Sequence, residues 1–443
     1  MVLQGFYGLM SLSHHNADIR PSSSGSSVLK RIALTELRIG MFIQEFSGSW
    51  IEHPFWKSRF LLDSPKDLQR IRDSGIGELW IDTAKGLDVP GGQTVDEVKA
   101  QTDARLLAAV TTTLPPARVS LDEEIARAQK LCSHSRRAVM EMFQDARMGQ
   151  AVNVEQVGQL VRDITASVMR HPHALISLAR LKSADEYTYM HSVAVCALMI
   201  ALARQLELSD AQVQEAGVAG LLHDIGKMAI PSDVLNKPGK LTDAEFRRVC
   251  DHPQAGTDIL LECKQVSALV IDVCLHHHEK IDGTGYPHRL AGDQISLFAR
   301  MGAVCDVYDA ITSNRPYKRG WDPAESIRKM AEWCHGHFDE AVFQAFVKSV
   351  GIYPVGSLVR LDSGRLGVVI EQSEKSLLLP RVRVFFNART NTHLAREVVD
   401  LARLVGRDKI VGRESPAQWG FRDLDELWSG VASPAPLRRH PSA

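Results

Sequence analysis

The residues able to do chemistry gather in one stretch of the chain. His223-Asp224-Ile-Gly-Lys227 sets an imidazole beside a carboxylate, with a lysine following closely. His277-His278-Glu279 ends an apolar run and leads into Gly283-Thr-Gly-Tyr-Pro287. His191, His252 and Asp306 complete a set of seven candidate metal ligands with His223, Asp224, His277 and His278. A core does not collect so many ionisable groups for packing alone, because buried polar atoms need partners. Mixed imidazole and carboxylate donors suit first-row divalent ions such as manganese, iron, nickel or zinc. Two such ions can activate a water, polarise phosphoryl oxygens and steady a leaving oxygen, and Asp224 is a natural bridge between them. The chemistry indicated is multinuclear, metal-dependent hydrolysis of a phosphodiester.

Taken singly, each part has a plainer reading. A His-Asp dipeptide is weak evidence, and a histidine before a proline is more often a helix-end residue than a ligand. Asp306 and Asp309 are close enough that one could be a capping or solvated carboxylate. His276-His277-His278 could bind a metal locally with no wider meaning. What weakens these readings is that all the features fall in one helical region, each after an apolar run.

The elements that must position these residues can be read from caps and periodicity. Ser209 with Gln212 opens the helix that ends at His223-Asp224, and Thr242 with Glu245 opens the one leading to His252, where Pro253 should disturb it. Ser120 with Glu123 starts an earlier amphipathic helix, and the helical signal continues to about residue 348. Ahead of it, residues 30–90 read as a small α/β module, with strands at 40–46 and 78–82 around a helix opened by Ser64-Pro65. Residues 91–119 read as a linker with a helix at 95–110. Three β-rich runs, at 357–361, 366–370 and 381–385, form an appendage over 351–406. Residues 1–29 read as a disordered leader and 407–443 as a tail. The fold expected is multidomain: an all-α domain over 120–350, with motifs in 186–320, between a small α/β module and a β-rich appendage.

Composition narrows the function classes. A chain of 443 residues exceeds the size of most single cores. The formal net charge of -1 gives no basic field for a nucleic-acid polymer. The seven cysteines form no C-x-x-C pair, which argues against a disulfide framework and for a reducing compartment. There is no signal-peptide pattern, and the most apolar run, Val193 to Ala203, is too short to span a bilayer. A cytoplasmic protein with no membrane partner is expected.

The ordered set His223-Asp-x-Gly-Lys227, Lys237-Pro-Gly-Lys-Leu-Thr242, His252-Pro-x-x-Gly256, His277-His-Glu279, Asp282-Gly-Thr-Gly-Tyr-Pro287 and Asp306-Val-Tyr-Asp-Ala310 closely resembles the HD-GYP family, the cyclic diguanylate phosphodiesterases among HD-domain metal hydrolases. The resemblance covers about residues 150–350. Residues 30–90, with Leu37-Arg-Ile-Gly-Met41 and Trp50-Ile-Glu-His-Pro-Phe55, resemble a small uncharacterised module found in front of such domains. The resemblance implies that His191, His223, Asp224, His252, His277, His278 and Asp306 hold metal, iron or manganese foremost. It implies that Asp224 and Lys227 serve catalysis, with Lys227 at the scissile phosphate, and that Arg315 and Lys318 hold substrate phosphate. It places Tyr286 at the substrate mouth or on a docking surface, toward a diguanylate cyclase or another signalling protein; a homodimer stays open. Read without the family, Lys227 is an exposed helix-end lysine, Arg315 and Lys318 are cations on a surface turn, and Tyr286 is a turn residue packed on Pro287.

The family's third-metal glutamate falls at Tyr187, and Glu186 points away from His191 on a helix. Two ions are therefore expected, with a third in doubt, and cleavage of cyclic di-GMP to linear pGpG is favoured over continuation to GMP. Two alternatives remain beside this reading: a weakly catalytic cyclic di-GMP receptor or scaffold, and an HD-type phosphohydrolase of another nucleotide.

Overall fold

Alternating apolar residues in Ile32, Ile43, Leu79 and Ile81 give the N-terminal strands one face to bury, and all four side chains are buried. The computed structural model describes residues 29–47, 59–74, 76–108, 119–181, 187–235, 237, 241–263, 265–313, 320–421 and 424–430, and of Tyr187 the backbone only. The strands β1 (Leu29–Ala33), β2 (Phe42–Phe46), β3 (Phe60–Leu61), β4 (Glu78–Asp82) and β5 (Gln93–Thr94) form an antiparallel sheet in the order β3-β2-β4-β1-β5. Helix α1 (Pro65–Arg72) starts as its sequence indicates, the Ser64 hydroxyl accepting from the Asp67 N–H at 3.3 Å.

The module does not stop at residue 90. β5 pairs with β1, and α2 (Val95–Ala108) follows at once and packs on the helical domain, so residues 93–108 are not linker. The start of α2 is fixed locally by Glu97, whose carboxylate accepts from both the N–H and the hydroxyl of Thr94. The expected leader apart from Leu29, which opens β1, the Trp50–Phe55 motif, the Pro115-Pro116 segment and the Lys237-Pro-Gly-Lys turn apart from Lys237 lie outside the described residues.

The helical domain comprises α3 (Leu121–Arg147), α4 (Val154–Arg170), α5 (Pro172–Ala179), α6 (Tyr187–Gln205), α7 (Asp210–Leu222), the short α8 (Ser232–Leu235), α9 (Asp243–Cys250), α10 (His252–Leu261), α11 (Ala268–His276), α12 (Leu297–Thr312), α13 (Pro323–Trp333) and α14 (Glu340–Val350). α6 is apolar on all sides from Val193 to Ala203 and is buried on all sides, which makes it the axis of the domain. α7 lies directly against it: a Cβ on Gly220 would sit 2.9 Å from the Cα of Cys196. The capping boxes at Ser209/Gln212 and Thr242/Glu245 form as expected. The helix leading toward His252 is interrupted as expected: α9 stops at Cys250, the helical run breaks at Asp251, and Pro253 sits in the first turn of α10, so His252 opens a new helix.

The C-terminal sheet has five strands among the described residues, not three. β6 (Leu358–Leu361), β7 (Arg365–Glu371) and β8 (Arg381–Asn387) were legible, whereas β9 (Thr392–Asp400) and β10 (Ile410–Arg413) complete the order β10-β6-β7-β8-β9. The residues read as a tail therefore contribute a strand, followed by α15 (Pro416–Trp419) and α16 (Leu424–Ser429). α16 packs on β7 and buries Leu424, Leu427 and Trp428. Arg180, itself buried, donates to the Val355 carbonyl at 3.1 and 3.2 Å and lies over the Trp428 ring, tying this end to α5. None of the cysteines forms a disulfide. Among the described residues no helix is long and apolar enough to cross a membrane.

Candidate metal centre

The centre forms where four helix ends meet the side of α12. His191 projects from the first turns of α6, His223 closes α7, His252 opens α10, His277 and His278 follow α11, and Asp306 lies within α12. Two glycines permit this convergence. A Cβ on Gly226 would fall 2.0 Å from the His252 carbonyl oxygen, and one on Gly256 would fall 2.6 Å from Cys274 Sγ. The turn after Asp224 can therefore press against α10 and carry Asp224 up to His252.

The imidazoles are aimed from behind. His223 Nδ1 donates to the Gly220 carbonyl at 2.8 Å, His252 Nδ1 to that of Val249 at 2.7 Å, and His277 Nδ1 to those of Val273 and Cys274 at 3.1 and 3.0 Å. Carbonyl oxygens only accept, so each Nδ1 carries the proton and each Nε2 turns a lone pair inward. His191 is also held from behind, its Nδ1 lying 2.6 Å from Asp309 Oδ2, while its Nε2 faces Asp306 Oδ1 at 2.9 Å. Asp309, left open as a cap in the sequence, is thus the support of a candidate ligand, as is usual around metal-binding imidazoles.

Three overlapping groups of donors result. His191, His223 and Asp306 form one, His252, His277 and His278 another, and His223, Asp224 and His277 link them, the donor atoms in each lying within 4.8 Å of one another. Asp224 straddles them. Its Oδ2 is 3.4 Å from His191 Nε2 and 3.3 Å from His223 Nε2, while its Oδ1 is 3.3 Å from His252 Nε2 and 3.9 Å from His277 Nε2. Oδ1 is buried and accepts no hydrogen bond, which a carboxylate does not tolerate without a cation nearby. The donor set, its burial and this oxygen fit divalent metal.

Charge is arranged to match. Burial alone would raise Asp224 and Asp306, but Lys227 and His223 hold Asp224 well below the usual carboxylate range, and His191 with His278 does so for Asp306. Burial favours neutral His191, yet Asp224, Asp306 and Asp309 outweigh it and lift its pKa to about 10. Burial, then His223 and His252, push His277 down to about 3, and His278 is pushed down by burial and by His277. One side of the centre is rich in carboxylate, and on the other His277 and His278 are held as neutral imidazoles.

Lys227, in the 3₁₀ turn after Asp224, places Nζ 2.5 Å from Asp224 Oδ2 and stays partly exposed. The Tyr286 ring stacks on His278 at 4.6 Å between centroids and 25° between planes, so it covers a candidate ligand instead of resting only on Pro287. The loop beneath it is tight: the Tyr286 N–H donates to the His278 carbonyl, and a Cβ on Gly285 would lie 2.4 Å from the Lys280 nitrogen. Glu279, which sequence reasoning left without a role, is buried and accepts the N–H groups of His288 at 2.7 Å and Leu290 at 3.1 Å, closing the loop. Its place directly after a histidine doublet was the available signal. Arg315, Lys318 and Glu186 lie outside the described residues.

Comparison with known proteins agrees with this architecture. Residues 29–157 match the family model described as a domain of unknown function, DUF3391, and residues 162–342 match the HD domain. The N-terminal family unit thus runs well past residue 90, through α2 and α3. The chain is 63% identical over 406 residues, 91% of its length and 97% of the relative's, to the cyclic di-GMP phosphodiesterase PA4108 of Pseudomonas aeruginosa. It is 38% identical over 168 residues, 38% of the chain and 36% of the relative, to the 3'3'-cGAMP-specific phosphodiesterase 3 of Vibrio cholerae. Among solved structures, Bd1817, a HDG"Y"P protein from Bdellovibrio bacteriovorus, aligns over 72% of the chain and 98% of its own at 18% identity and a TM-score of 0.42. The chain belongs to the HD-GYP family of HD-domain hydrolases, with a DUF3391 module in front of the HD domain.

Proposed function

We propose that this chain is a metal-dependent phosphodiesterase that opens cyclic di-GMP to linear pGpG in bacterial second-messenger signalling. The observation that carries the reading is Asp224, which offers one carboxylate oxygen to each of two imidazole groups. The near full-length relative named for this activity supports the substrate. His191, His223 and Asp306 would hold one ion and His252, His277 and His278 the other, with Asp224 between them. Iron or manganese suits this donor set. Bound there, the ions would supply Lewis acidity toward the phosphoryl oxygens and the attacking water.

The chain's own residues set the rest. The Nδ1 bonds to backbone carbonyls keep the imidazoles from turning as charge develops. Lys227 brings a preorganised ammonium to the face where phosphate must lie, and such fixed cations are usually the largest catalytic contribution. Tyr286 presents an aromatic plane beside His278 that suits a guanine base. Arg315 and Lys318 would grip the second phosphate. Hydrolysis adds the water oxygen to phosphorus and breaks one phosphorus–oxygen ester bond, leaving a phosphate monoester and a hydroxyl. With Tyr187 at the position of a third-metal glutamate, two ions and a single cleavage are the expected stoichiometry.

An anaerobic assay of the full chain loaded with iron or manganese, with products separated, tests this. Accumulation of pGpG is expected, with none from Asp224→Ala. No hydrolysis by the metal-loaded protein would make it a receptor, and GMP as the main product would overturn the single-cleavage reading. Because a relative is named for 3'3'-cGAMP, that dinucleotide belongs in the same assay, and cyclic di-GMP is expected to be the better substrate.

A further inference from the structure

Away from the metal centre, two imidazoles converge at the surface where α11 meets the loop after Tyr286. His276 ends α11 and His288 follows Pro287, and His276 Nε2 lies 3.1 Å from His288 Nδ1. His276 is aimed from behind: its Nδ1 is 2.8 Å from Asp272 Oδ1, one helical turn earlier, and the other Asp272 oxygen accepts from the Ser296 hydroxyl. The carboxylate takes the Nδ1 proton as a hydrogen bond, so Nε2 turns its lone pair toward His288. The His288 backbone is pinned by Glu279. Both rings therefore hang from fixed supports, while His276 is partly and His288 well exposed.

Two imidazole nitrogens facing each other at this distance share either a proton or a metal ion. A tetrahedral ion with bonds of about 2.0–2.1 Å sets its ligand nitrogens about 3.3 Å apart, close to the spacing found. A carboxylate behind the ligating histidine is the usual support of such sites.

We propose that His276 and His288 form a surface metal site, distinct from the catalytic centre, that takes a borderline divalent ion, zinc, with water completing its coordination. The ion replaces the proton held between the rings, and that proton leaves to solvent. Bound zinc ties the loop bearing Tyr286 to the end of α11, so the site acts on the cover over His278.

The test uses the full chain with its catalytic centre already loaded with manganese. Zinc chloride is added, bound metals are counted after dialysis, and zinc is located in soaked crystals by anomalous scattering. Wild type is expected to bind one zinc per chain more than His288→Ala, with a peak between the two rings. Asp272→Asn is expected to weaken that zinc by about 10–100-fold while leaving manganese in place. Equal zinc counts in wild type and His288→Ala, or zinc found only by exchange into the catalytic centre, would overturn the proposal.

Discussion

Asp224 and Lys227 are neighbours in space with separable duties. Asp224 is the carboxylate shared by both imidazole groups, whereas Lys227 touches only Asp224 Oδ2 among the candidate ligands and reaches outward from it. Replacing Lys227 with methionine keeps the stem but removes the charge. The expected result is a loss of about 100- to 1,000-fold in kcat with the metal count per chain unchanged. Loss of metal along with activity would instead make Lys227 a structural counter-charge to Asp224. At this scale the sequence was most informative, since each candidate ligand in the described residues lies in the centre. The supports were not legible. The carbonyls behind His223, His252 and His277 belong to no residue type, and Asp309 shows its duty only once α6 and α12 are side by side.

Local chemistry announced the helices, and distant chemistry did not announce the loop. The capping boxes at 209 and 242 could be read because both partners lie within four residues. Strand β9 could not, because Thr392, His393, Arg396 and Glu397 leave it polar on both faces and no period-two apolar pattern survives. Glu279 is the strongest case of hidden positioning. It accepts two backbone N–H groups from across the loop, and truncation would leave both without an acceptor in a partly buried setting. Glu279→Ala is expected to cost about 1–3 kcal/mol and to speed amide exchange at His288 and Leu290. Because the Tyr286 stack depends on that loop, KM should rise more than kcat falls. An exchange pattern identical to wild type would show that the loop holds its shape without the carboxylate.

The three parts of the molecule are joined by polar bonds that an unpaired part would lack. Asp322 caps α13 through the N–H groups of Ala324 and Glu325 and also accepts the Leu358 N–H of β6, joining the helical domain to the C-terminal sheet. Burial raises its pKa to about 6 despite these bonds and nearby Arg180. The folded protein therefore holds this proton more tightly than the unfolded chain, so its contribution is full below pH ~4 and is lost as pH rises through about 6. In denaturant unfolding, the stability of wild type relative to Asp322→Asn should fall by up to about 3 kcal/mol between pH 4 and 7; a flat difference would refute the assignment. The N-terminal module is docked through Arg31 to the Glu332 carbonyl, Lys329 to Glu45, and Arg70 to Asp243 at the head of α9. It also reaches the root of the loop that carries Tyr286. Asp282 lies between Gly77 of the module and Gly336, and a Cβ at either would come within 3.1 or 2.7 Å of its Oδ2. That carboxylate also shapes the loop, its Oδ1 accepting from the Thr284 N–H and hydroxyl at 2.9 and 2.6 Å. A side chain at 77 crowds Asp282 Oδ2, and a shift of that carboxylate passes to the Thr284 turn through Oδ1. Gly77→Val is expected to lower kcat/KM several-fold with the metal content per chain unchanged, although residue 77 belongs to the other module. Unchanged kinetics in a variant whose exchange at 282–286 has risen would separate the loop's order from its catalytic use.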